Sequence, residues 1–85
     1  VSRDRAAIVA AVKDQVKCYR FEAKGGRITM GFLSIGSLVT AMMGAETAIR
    51  AAAPYTDSGH WTYTMKAEAE PYIFELTIRL EHVKK

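Results

Sequence analysis

Cysteine, histidine and proline are scarce in this chain, which has one Cys18, the pair His60 and His82, and the pair Pro54 and Pro71. A lone cysteine excludes an internal disulfide, and two distant histidines do not complete a zinc site around it, so small disulfide and zinc scaffolds are out. No metal and no cofactor is expected. Charge of one sign is missing too: twelve basic and nine acidic residues are interspersed, and a net +3 is mild basicity rather than a nucleic-acid footprint. No nucleic-acid partner is expected.

One stretch without charge does stand out, Ile28 to Ala45, long enough by count to suggest a spanning helix. Three glycines and four hydroxyl residues interrupt it, and its first part alternates as a strand does, so a membrane helix is not the reading. What remains is an ordinary globular composition. Its 85 residues allow one core, a single domain over 1–85 that begins at Val1 and is read as excised or processed from a longer protein. A chain this short buries only roughly 60–65% of its unfolded surface, so a partner or a second copy would add stability.

Periodicity gives the elements. Ile8, Val12 and Val16 fall at helical spacing after a possible cap at Ser2 or Asp4. Around Lys17 the period becomes two: Tyr19, Phe21 and Ala23 alternate with Arg20, Glu22 and Lys24, and Ile28, Met30 and Phe32 alternate with Arg27, Thr29 and Gly31. Between them, Gly25-Gly26 is a hairpin turn and not a phosphate loop, because it opens into a strand and lacks the following Lys-Ser/Thr. A second helix, capped by Ser34 or Ser37, places Leu38, Met42, Ala45, Ile49 and Ala52 on one face and stops before Pro54. Then Trp61, Tyr63, Met65, Ala67 and Ala69 alternate with Thr62, Thr64, Lys66, Glu68 and Glu70, Pro71 breaks the run, and Phe74, Leu76, Ile78 and Leu80 alternate with Glu75, Thr77, Arg79 and Glu81.

The order αββαββ predicts an α+β two-layer sandwich, a four-stranded antiparallel sheet with both helices on its apolar face. Topologically this is a circularly permuted ferredoxin-like fold. Each half is one αββ unit.

Chemistry-bearing residues are few. Asp57, Ser58 and His60 share one loop, and His60 with Glu68 is the centre on which a small enzyme would be built, although turn chemistry explains the loop by itself. Glu68, Glu70, Glu75 and Glu81 alternate with Lys66, Thr77 and Arg79 and read as cross-strand ion pairs, not as a cation site. Trp61, Tyr63, Tyr19 and Phe21 share the parity of the core, which places them under the helices instead of on a base-stacking platform. Met30, Met42, Met43 and Met65 read as core, with a ligand pocket between helices and sheet as the functional alternative. Cys18 reads as a bystander thiol. Ala41, Gly44 and Ala48 allow close helix approach, either inside the domain or as a self-association seam. Thr62, Thr64, Glu75, Thr77 and Arg79 on the polar sheet face are further candidates for contact with a protein.

The run "AAIVAAVKDQVKCYRFEAKGGRITMGF", the following "IGSLVTAMMGAETAIRAA" and the closing "IFELTIRLE" resemble the periplasmic αββαββ domains of type IV pilus and type II secretion alignment-complex proteins, of the PilO and GspM kind. The segment "GGRITMGF" before a helix is also similar to BON and ring-building modules. Both resemblances imply a non-catalytic association module, homodimeric or bound to another protein, in a cell-envelope scaffold. They imply a periplasmic location, with a membrane reached only through segments outside this sequence; without them the expectation is cytoplasmic. A ligand-binding or regulatory domain is the alternative, and an enzyme using His60 the third.

Overall fold

A computed structural model describes residues 2–53 and 59–84. The elements are α1 (Ser2–Gln15), β1 (Arg20–Lys24), β2 (Arg27–Phe32), α2 (Ile35–Ala52), β3 (Gly59–Glu70) and β4 (Ile73–Lys84). The strands form one antiparallel sheet in the order β1-β2-β4-β3. That order is the ferredoxin-like one with its first strand moved to the end of the chain, and the α+β arrangement is the expected one.

Local chemistry accounts for the ends of the elements. Ser34 caps α2, its hydroxyl oxygen accepting from the Ser37 N–H at 3.1 Å. Gly25 and Gly26 take φ of +54° and +82°, the two positive values that a two-residue turn needs to close Lys24 against Arg27. At the β3–β4 tip, Pro71 and Tyr72 make the other two-residue turn, with Tyr72 at φ +73° where glycine is usual.

Parity does the rest. Ile28, Met30 and Phe32 of β2 and Leu76, Ile78 and Leu80 of β4 point to one face, where Ile8, Val12 and Val16 of α1 and Leu38, Ala41, Ala45, Ala48 and Ile49 of α2 complete the core. The buried face of α2 is thus rotated from the expected one, with Ala41 and Ala48 inside and Met42 only partly buried. Tyr19 also departs from expectation: it precedes β1 and is 70% exposed, so it is not under a helix. The apolar run from Ile28 divides between β2 and α2, and among the described residues no helix is long and apolar enough to cross a membrane.

Opposite the helices, the sheet face is polar. Arg20 reaches from β1 across β2 to Glu75 of β4 at 3.0 Å. The residue it crosses is Gly31, where an added methyl group would meet the Ile73 side chain at 2.9 Å and the Arg20 Cβ at 3.6 Å.

Candidate functional site

The two described candidates for catalysis, His60 and Glu68, do not come together. His60 and Glu68 lie on the same strand eight positions apart, roughly 26 Å at about 3.3 Å per residue, too far to share a substrate atom. Asp57 falls outside the described residues. Among the described residues no group of His, Cys, Asp and Glu is placed to hold a metal ion. Lys66 pairs with Glu68 at 3.5 Å. Cys18 is half-buried, and desolvation pushes its thiol above the ordinary range, the reverse of activation.

Phe21, Trp61 and Tyr63 pack partly buried against the core, as their parity implies. Lys13 stands over the Phe21 ring at 5.8 Å and Arg5 over Trp61 at 5.9 Å, while Trp61 also meets His82 at 5.1 Å between ring centres. An open cleft of about 540 Å³ lies beside Trp61 and Tyr63, walled by Ile49, Arg50 and Ala53 of α2. Here Arg50 lies beside Tyr63 and pairs with Glu46 at 3.3 Å, and the interaction with Tyr63 first and then Glu46 holds its guanidinium above the usual range.

The small residues of α2 are taken up inside the chain. Ala41 and Ala48 are buried, and a methyl group added at Gly44 would meet Gln15 and Val16 at 3.7 Å, so this flank faces α1. Ala41, Gly44 and Ala48 therefore serve helix packing within the domain. Thr62, Thr64, Glu75, Thr77 and Arg79 lie on the polar sheet face, as their alternation predicts; Thr62, Thr64 and Arg79 are exposed and Glu75 and Thr77 half-buried.

The opposite flank of α2 is different. Ile35, Val39 and Met43 recur every four residues and are 56%, 49% and 68% exposed. Glu46 and Arg50 continue the same line, and Arg50 borders the cleft over Tyr63, so this flank looks toward β3. Leu33, 66% exposed, leads into it. Below lies the helix-side face of β3, where Met65 is partly buried and Ala67 and Ala69 are exposed.

The strand on that side of the sheet is an edge. β3 pairs with β4 and with no other described strand, and its twelve residues make it the longer of the two edges, β1 having five. Its free hydrogen-bonding groups follow from the ladder. The Leu80 N–H donates to the Gly26 carbonyl at 2.7 Å, so the even-numbered residues of β4 bond toward β2 and the odd ones toward β3. By register, Thr64, Lys66 and Glu68 then bond to β4, while Met65, Ala67 and Ala69 turn their N–H and C=O groups outward.

Sequence reasoning anticipates association through an exposed strand edge or the polar sheet face, but it does not say which strand is the edge and it misses the α2 flank. The spacing of Ile35, Val39 and Met43 was a visible signal, a second apolar stripe beside the core stripe of the same helix. No family model matches the chain, and neither a curated protein nor a solved structure matches it.

Proposed function

We propose that this domain is a non-catalytic protein–protein association module, and that it associates with itself through the β3 edge and the adjoining flank of α2. One observation carries the reading: the Thr64–Glu70 half of an edge strand, paired with no other described strand than β4, lies beside a line of exposed apolar side chains, Ile35, Val39 and Met43. Open backbone groups give a second chain directional hydrogen bonds, and the apolar flank gives it area to cover. An envelope scaffold of the alignment-complex kind is the setting suggested by the element order that the chain shares with those domains.

Sedimentation equilibrium from micromolar to millimolar chain tests this. The expected result is a species of twice the monomer mass that grows with concentration, and its weakening by about tenfold or more in Met43→Glu, a surface change that leaves the urea midpoint in place. A wild-type chain that stays monomeric to millimolar concentration overturns the reading.

A further inference from the structure

We infer that the partner is a second copy of this chain, joined by antiparallel pairing of β3 with β3 about a two-fold axis at Ala67; this rests on the association reading above. A two-fold antiparallel pair must bring side chains of the same face together. Since the odd residues of β3 face the helices and the even ones face solvent, the axis can pass only through a residue. The choice of residue then decides which charges meet.

An axis at Lys66 opposes Lys66 to its own copy, and an axis at Glu68 does the same with Glu68, arrangements that like-charge repulsion disfavours. With the axis at Met65, Lys66 meets Thr64 and Glu68 meets Thr62, so no charge finds an opposite one between Thr62 and Glu68. Only about Ala67 does Lys66 of each copy stand directly across from Glu68 of the other, giving two symmetric ion pairs. The 3.5 Å pair already present within the strand joins them into a ring of alternating sign. The ladder phase favours these pairs as well. Because Met65, Ala67 and Ala69 present the outward N–H and C=O groups, Lys66 and Glu68 fall at the non-hydrogen-bonded positions, where opposed side chains come closest.

On the helix side the same register sets Ala67 against Ala67 and Met65 against Ala69, so nothing large collides at the axis. The half of β3 that is used, Thr64 to Glu70, is level along the strands with the start of α2: that helix begins just after Phe32, which pairs with Phe74, itself opposite Ala69. The apolar flank of Ile35, Val39 and Met43 is therefore brought toward its counterpart. The charges on β3 thus favour this register over its neighbours instead of barring association.

The test is a charge exchange read by sedimentation. Lys66→Glu alone and Glu68→Lys alone each turn both ion pairs into repulsions, and each is expected to weaken the homodimer by about tenfold or more. Mixing the two variants restores opposite charges at every crossing, so the mixture is expected to form a heterodimer at least as tight as the wild-type pair. Cross-linking reads the register independently. In a Cys18→Ser background, Thr64→Cys chains mixed with Glu70→Cys chains should form a disulfide on mild oxidation, while neither variant alone should. A wild-type dimer whose variants neither recover on mixing nor cross-link overturns this register while leaving the association reading in place. A wild-type monomer at all concentrations overturns both.

Discussion

Gly59 opens β3 at φ +135°, a conformation that side chains with a Cβ rarely adopt. A methyl group placed there would run into the carbonyl oxygen of Val83 on the paired strand. Gly59→Ala therefore carries two costs. Holding an L-residue at that φ costs about 1–3 kcal/mol. Relieving the clash parts the strand ends at the neighbouring pair His60–Val83, which the ladder phase makes a hydrogen-bonded one, and loosening it adds of order 1 kcal/mol. The sum, about 2–4 kcal/mol, is a large share of the roughly 5–10 kcal/mol of a domain this size. Gly25 supplies an internal control. Its φ is +54° but nothing lies within 4 Å of an added methyl, so Gly25→Ala should cost only the left-handed backbone, about 1 kcal/mol. Urea unfolding followed through the single Trp61 and by far-ultraviolet circular dichroism would measure both variants. If Gly59→Ala costs no more than Gly25→Ala, the steric argument at the β3–β4 end is refuted.

Two further outcomes are expected. Tyr72 holds a positive φ while 97% exposed, so Tyr72→Gly should raise stability by about 1 kcal/mol; an unchanged or lower urea midpoint would count against the turn geometry. Burial raises the Cys18 thiol, so the folded chain resists forming the thiolate more than the unfolded chain does. The stabilisation is full below the ordinary thiol value and is lost as pH rises through the higher folded value. Alkylation should thus be slower in the folded than in the unfolded chain at any one pH, and the alkaline loss of stability should shrink in Cys18→Ser.

Much of the fold was legible because alternation survives any pairing order: the parity of Ile28, Met30 and Phe32 or of Leu76, Ile78 and Leu80 names the buried face whichever strands are neighbours. The helix was less so. With apolar residues at 35, 38, 39, 42, 43, 45 and 49, α2 carries two adjoining stripes, and only the position of α1 against Gly44 decides which is covered. Tyr19 read as a core residue because its parity continues β1, yet the strand begins after it and the side chain turns out. The proposed association surface was the least visible part, because an edge is a property of strand order. Nothing in the alternation of Trp61 to Glu70 distinguishes a central strand from an outer one, and the outward phase of Met65, Ala67 and Ala69 depends on a hydrogen bond two strands away, from Leu80 to Gly26.

The pair of Arg20 with Glu75 affects the far side of the sheet. It ties β1 to a strand that is not its neighbour, so peeling β1 away would break a tether as well as a ladder. That edge is also only five residues long and carries Arg20, Glu22 and Lys24. One border of the sheet is thus latched, and the proposed pairing uses only the other. If a unit offers a single border, it can add one copy and then has none left, so the proposed assembly would close at two and not lengthen into a fibre.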